Sequence, residues 1–312
     1  MNISLANSTF NESDLEQEFV FNRGVEELAS RIFLELFTIL SFICIAFNII
    51  ISFVILRYRR LREEKSNIIL LHWAIMNSLF MLSTPTNYRF MHDFSDAIDY
   101  LSVYCIVEQF EHTFLLADIL LITFLVIYWY LRLYYPSKFQ NIVKYFVIYI
   151  SCLYVLCVII LAVEIHSCNN NIFGLAQITL FLSYLLFFLF MVIMNIIHAV
   201  RKKSLPHNSN KRNLPFVLSN TFFVCYIPIV VSLFLGLLIE FNYIVLLATI
   251  YTTFFISIMT PVYFFMILYK YDDDFHTFFR HVLTCKCRQY QEEFQEQQVV
   301  YNNDVNVDEN KC

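Results

Sequence analysis

Seven runs of this chain carry no Asp, Glu, Lys or Arg, and charged segments separate them: 36–56, 66–88, 119–131, 145–163, 169–200, 213–239 and 241–269. Six of the seven reach the roughly 20 residues that a helix needs to cross a bilayer core. The exception, 119–131, is short because Asp118, Glu111 and Glu108 interrupt its outer half. Reading that helix from about 101 to 134 restores a full span. Backbone polar groups inside lipid must satisfy one another, so each span is predicted to be helical. The expected fold is an all-α membrane protein, a seven-transmembrane helix bundle forming one domain.

After the last run, Phe275, Phe278, Phe279, Val282 and Leu283 recur at helical spacing behind Asp272, Asp273 and Asp274. Leading acids and the trailing Arg280 suit a helix macrodipole. This predicts a short amphipathic eighth helix lying in the membrane interface, apolar face down. The expected division is an extracellular N-terminal tail at 1–31, the bundle at 32–271, the interfacial helix at 272–287 and a disordered cytoplasmic tail at 288–312. The third inner loop, 201–212, is too short for a folded insert.

Composition agrees with a membrane class: 59% of residues are hydrophobic and 15% charged. With only 3 glycines, close GxxxG crossings are not available, and 34 Phe and 20 Tyr must do the packing. Charge then orients the bundle. With the N-terminus outside, Arg23, Arg31 and Arg89 are the only external basic residues, leaving 18 of the 21 Lys and Arg on the inner side. That asymmetry follows the positive-inside rule. Three sequons, at Asn2, Asn7 and Asn11, cluster in the same tail and need the lumenal side for glycosylation. These features predict a multi-pass plasma-membrane protein with its N-terminus extracellular. The stretch 1–30 lacks the apolar core of a cleavable signal, so the first helix should act as the insertion signal.

Among the nine cysteines, Cys44, Cys152, Cys157 and Cys225 fall inside spans and are expected to be small apolar packers. Cys105 and Cys168 fall at the outer ends of the third and fourth helices, where disulfides persist. They are expected to be bonded to each other, tying the second outer loop to the third helix; two unpaired thiols is the alternative. Cys285 and Cys287 follow the interfacial helix on the inner side, where palmitoylation and a solvated thiol pair are the two options.

Short motifs add a resemblance. Phe47-Asn48-Ile49-Ile50 in the first helix, Cys225-Tyr226-Ile227-Pro228 with Phe222 six residues before the proline, Thr260-Pro261-Val262-Tyr263-Phe264, Phe278-Phe279-Arg280, and Pro85 eight residues after Asn77 all resemble rhodopsin-like (class A) G-protein-coupled receptors. The resemblance covers roughly 32–287. It implies a ligand entering from outside, motion of the third, sixth and seventh helices, and a heterotrimeric G protein on the inner side. Pro228 and Pro261 each remove a backbone hydrogen bond, giving either hinges or static kinks.

The departures are equally specific. The family's D-R-Y falls on Tyr128-Trp129-Tyr130 when Pro136 sets the register, so its arginine is replaced by Trp129; with Cys105 setting it, Tyr130 takes that place. Arg132 is two or three residues further on. Phe264 replaces the tyrosine of N-P-x-x-Y, Asn77 replaces an aspartate, the fifth helix lacks its proline, and nothing acidic in 206–213 can lock the third helix to the sixth.

Charged residues inside spans are functional candidates by default. Asn48, Asn77, Asp118 and Thr260 are expected to form a polar cluster that holds a sodium ion on oxygen ligands, holds a proton on Asp118, or simply hydrogen-bonds internally. Glu111 lies seven residues outward on the same face. In the Pro136 register it occupies the position of the ammonium-binding aspartate of amine receptors. With Glu108, His112, Tyr226 and Glu240 it forms a candidate anchor for an extracellular cationic ligand; a solvated carboxylate in a vestibule is the plainer reading. Fourteen acids stand outward of Asp118 against three basic residues, a field that attracts basic ligands.

Three functions follow. The first is a cell-surface receptor for a basic peptide or amine that couples to a G protein. The second is an atypical or scavenger-type receptor that binds ligand without conventional coupling. The third is a small channel or transporter using Glu111 and Asp118, against which stand the absent repeats and paired broken helices. No catalytic constellation is visible, and no enzyme activity, nucleic-acid partner or cofactor beyond the sodium ion is expected.

Overall fold

The computed structural model describes residues 12–94, 100–170, 175–201, 213–238 and 243–283. Among them are eleven helices and no strand. In chain order these are α1 (Glu12–Arg57), α2 (Arg59–Glu63), α3 (Lys65–Phe94), α4 (Tyr100–Tyr134), α5 (Pro136–Lys144), α6 (Phe146–Asn169), α7 (Leu175–Arg201), α8 (Leu214–Leu238), α9 (Tyr243–Ile258), α10 (Thr260–Tyr271) and α11 (Asp273–Leu283). Within α1, α3, α4, α6, α7 and α8 lie six segments long and apolar enough to cross a membrane. A seventh crossing exists if the bent pair Thr252–Ile258 and Thr260–Tyr271 counts as one. The third crossing runs Ile106–Tyr134, close to the reading that bridged its acids.

Helix α4 is the hub, packing on α3, α5, α6, α7 and α8. Helix α6 is peripheral and turns Val147, Ile148, Val155 and Ile159 outward, as a lipid-facing helix should. Aromatics fill the centre. Trp73, Phe37, Phe222 and Phe264 are fully buried, and Trp73 of α3 packs on Phe264 of α10 with ring centroids 4.3 Å apart.

Three elements depart from the sequence expectation. Helix α1 begins at Glu12, so much of the segment read as an N-terminal tail continues the first helix. Pro136 opens an unforeseen helix, α5, with proline in its first turn, where a missing N–H costs nothing. Helix α11 forms where expected and is capped by Asp272, whose Oδ1 accepts the N–H groups of Asp274 (2.9 Å) and Phe275 (3.0 Å). Its apolar face, however, packs on protein. Phe275, Phe278 and Phe279 are buried; Phe278 stacks on Tyr58, the residue that joins α1 to α2, at 3.9 Å, and Phe279 lies 4.5 Å from Phe265 of α10.

The two prolines also differ. Pro228 sits inside a continuous α8. Pro261 sits at the start of α10, just after a break at Met259 where the chain bends by 40°. Proline cannot donate to the carbonyl four residues back, here Ser257. The Thr260 hydroxyl takes that carbonyl instead, at 2.5 Å. The Val262 N–H turns to Met259, which releases the Ile258 carbonyl, and the Cys44 thiol of α1 donates to it at 3.2 Å. Cys44 is thus more than the apolar packer expected of it. The Ser257 hydroxyl donates to the Cys225 carbonyl of α8 at 2.8 Å. The break is therefore clasped from both sides by side-chain donors.

Candidate functional site

Polar residues on α3 and α4 meet in an antiparallel ladder. Asn77 of α3 donates Nδ2 to Asp118 Oδ2 of α4 at 2.6 Å. Seven residues outward on α4 is Glu111, whose Oε2 accepts from Asn87, ten residues outward on α3, at 2.9 Å; Thr84, seven residues outward on α3, also hydrogen-bonds to it. Positions 77 and 118 sum to 195, as do 84 and 111, which is the register of two helices running in opposite directions with equal rise. At the inner end Arg132 of α4 forms an ion pair with Glu64, just before α3. Antiparallel pairing makes these rungs nearly periodic, and the spacing of seven in each helix is the signal by which Thr84 was findable; Asn87, one turn further on, follows from Thr84 by sharing its face.

The central rung continues to α1. Asn48 donates Nδ2 to Asn77 Oδ1 at 2.9 Å. Asn48, Asn77, Asp118 and Thr260 all have zero exposure. Three of the four expected members are thereby joined in one chain; the hydroxyl of Thr260 is spent on Ser257. Asp118 Oδ1 and Asn48 Oδ1 are buried and have no hydrogen-bond partner. So is the hydroxyl of Tyr226, which lies in electrostatic range of Asp118 together with Tyr184 and Tyr154. Buried oxygens of this kind normally have partners. Two free oxygen acceptors fit a hard cation or a proton. Among the described residues, no group of three or more His, Cys, Asp and Glu is placed to hold a metal ion.

On the outer side, Glu111 is held by neutral donors, and no basic side chain pairs with it among the described residues. Glu108 lies within its electrostatic range. His112 is half-buried and its Nδ1 lacks a partner. Tyr226 is buried, stacked on Phe222 (4.3 Å) and Tyr184 (5.7 Å) in the middle of the bundle. Cys168 is disulfide-bonded. The Cys105 side chain, Glu240, Asn2, Asn7, Asn11, Cys285 and Cys287 lie outside the described residues.

The inner end of α4 answers the missing arginine. Trp129 is 1% exposed and stacks on Phe216 of α8, centroids 4.2 Å apart and planes 13° from parallel. His198 of α7 packs edge-on to Trp129 at 5.2 Å and lies 4.8 Å from Phe216. The Tyr134 hydroxyl and His198 Nδ1 share a hydrogen bond of 3.0 Å. Arg201 covers the Tyr134 and Tyr135 rings at 5.5 Å each and donates to the Tyr135 hydroxyl at 3.1 Å, which pulls that phenol below its ordinary range. Tyr130 belongs to the same girdle, 5.0 Å from Tyr134. The third, fifth and sixth crossings are thus joined by aromatic and histidine contacts. Arg132, reaching Glu64, does not point to the sixth crossing as a substitute for the lost arginine.

No protein-family model and no curated protein sequence matches the chain.

Proposed function

We propose that this protein is a cell-surface receptor of the rhodopsin-like G-protein-coupled type, with its N-terminus outside, that binds a basic peptide or amine and signals through a heterotrimeric G protein. The observation that carries the reading is the Asn48–Asn77–Asp118 chain beneath an unpaired Glu111, set in a bundle whose seventh crossing is broken and clasped. Glu111 offers a carboxylate already oriented by Asn87 and without a cationic partner among the described residues, which suits a ligand ammonium or guanidinium. The acidic outer surface would steer such a ligand inward. Asp118 Oδ1 and Asn48 Oδ1 offer acceptors for the sodium ion or proton of the polar core. A disulfide from Cys168 to Cys105 would fix the outer loop over the mouth.

Signalling in this reading is loss of the Trp129–Phe216 stack. A ligand shifts the bundle only by binding one arrangement more tightly than the other. When the inner end of α8 swings away, Phe216 leaves Trp129 and a groove opens for the G protein between α4 and α8. The test is ligand binding and nucleotide exchange with Glu111→Gln. The variant should bind a basic peptide or amine more weakly by at least tenfold while its surface expression is unchanged. Equal affinity in the two proteins would remove Glu111 from the ligand site.

A second reading keeps the bundle and drops the coupling: a receptor that binds or scavenges without a G protein. Arg132 tied to Glu64, and tryptophan in the arginine position, favour it. Surface binding retained with silence across a panel of G proteins would select it.

A further inference from the structure

The sixth and seventh crossings are pinned together at one height and part below it. The pin is the 2.8 Å bond from the Ser257 hydroxyl to the Cys225 carbonyl, level with the break at Met259. On the inner side of that pin a cavity of about 700 Å³ runs between α8 and α10. One wall is a helical stripe of Val217, Thr221 and Val224; the other is a stripe of Tyr263, Met266 and Lys270. Val217, Val224 and Met266 are exposed, so the groove opens to the outside of the bundle rather than to its core. Its amide groups and the Thr221 hydroxyl are already engaged. The Thr221 hydroxyl donates to Val217 and the Asn220 amide to Phe216, while Asn195 donates to the Asn220 carbonyl oxygen. What remains is a mainly apolar channel that carries the Tyr263 and Tyr271 hydroxyls and one charge at its end.

That charge has no carboxylate to neutralise it, unlike Arg59, Arg60, Arg89 and Arg132, which all have carboxylate partners, and like Lys65, Lys138, Lys144 and Arg201, which lie against aromatic rings. Lys270 is exposed and has no carboxylate partner among the described residues; the Tyr271 ring, 5.2 Å from its ammonium, is its neighbour. A lysine at the end of a membrane crossing places its ammonium at headgroup height.

We infer that the α8–α10 groove is a site for one anionic phospholipid, drawn from the leaflet on the Lys270 side, with an acyl chain along the two stripes and its phosphate on Lys270. Acyl chains gain van der Waals packing against a groove that flat annular contact does not offer. A volume of this size falls in the range of dedicated ligand sites. The site needs only that the bundle spans a membrane. It therefore stands or falls independently of the receptor reading.

The experiment is native mass spectrometry of the purified protein released from micelles doped with equal phosphatidylserine and phosphatidylcholine. Wild type should retain one phosphatidylserine in preference to phosphatidylcholine. Lys270→Gln should lower that preference about fivefold, the share of one basic residue near a headgroup. Val224→Trp and Met266→Trp, each filling the groove, should abolish retention of the bound lipid, and Arg59→Gln should change nothing. Soluble glycerophosphoserine should fail to displace the lipid, because it lacks the chains. Equal retention of the two lipids by wild type, unaltered preference in Lys270→Gln, or displacement by glycerophosphoserine would each overturn the assignment.

Discussion

Replacing Asn77 by leucine should reveal whether the ladder is one coupled network. The side chain accepts from Asn48 at 2.9 Å and donates to Asp118 at 2.6 Å, with no exposure at any of the three. Hydrogen bonds between helices in a membrane contribute about 0.6 kcal/mol on average and up to about 1.7. Losing two gives roughly 1–3 kcal/mol. The upper end is expected, because Asp118 Oδ1 already lacks a partner and the variant strips the whole carboxyl group of contacts. Asp118→Leu removes one bond and strands the Asn77 amide instead. The double variant strands only Asn48, so it should be less destabilised than the sum of the singles by about 1–2 kcal/mol, in the range seen for residues of one network. The assay is reversible unfolding in bicelles by dodecyl sulfate titration, read as a double-mutant cycle. Thr260→Val, whose hydroxyl serves Ser257, should add to Asp118→Leu within about 0.5 kcal/mol. Additivity of Asn77→Leu with Asp118→Leu to within about 0.3 kcal/mol would refute the network, since neighbours that share a buried bond cannot be independent.

Other consequences are simpler. Thr260→Val should cost about 1 kcal/mol by leaving the Ser257 carbonyl without its replacement donor, and Thr260→Ser should restore most of it in a thermal-shift measurement. Glu64→Gln should change stability by less than about 1 kcal/mol, because both members of its pair with Arg132 are exposed by more than a third; a larger loss on the same titration would make this pair the inner lock after all. Trp129→Ala should cost about 3–5 kcal/mol as a buried aromatic truncation, with about 0.5–1.5 kcal/mol of it shared with Phe216 in a cycle. Asn87→Ala should lower affinity for a basic ligand less than Glu111→Gln does, since it loosens the carboxylate without removing it.

The crossings were legible because an apolar run of twenty residues has few other uses. The third was recoverable despite Glu108, Glu111 and Asp118, since length fixed both of its ends. The helix before the first crossing was not legible. Phe21, Val25, Leu28 and Ile32 recur there at helical spacing, but the acids between them give the stretch a polar composition that hides the helix. Helix α5 was hidden because it is only nine residues long, although Pro136 at its first position and Phe139, Ile142 and Val143 at helical spacing mark it. In the polar core, Asn48, Asn77 and Asp118 were found because polar groups stand out inside apolar runs. The Thr260 hydroxyl stands outside the chain of these three because the proline beside it claims it for Ser257, a local demand that outweighs a distant one. Trp129 was conspicuous and its partners were not. Phe216 and His198 are ordinary residues of their helices, and only the packing of α4 against α7 and α8 makes them neighbours. Cys44 carried no signal beyond burial, since the carbonyl it meets is freed only by the bend between α9 and α10.

The central claim is that the Trp129–Phe216 stack holds a signalling bundle in its resting arrangement. Guanine-nucleotide exchange on a panel of purified heterotrimeric G proteins, driven by the chain in lipid nanodiscs without ligand, tests it most directly. Phe216→Ala should raise exchange over wild type on at least one G protein by about 2- to 10-fold, the factor carried by about 0.5–1.4 kcal/mol of lost stacking. Folded wild type and folded Phe216→Ala that are both silent across the whole panel would contradict it.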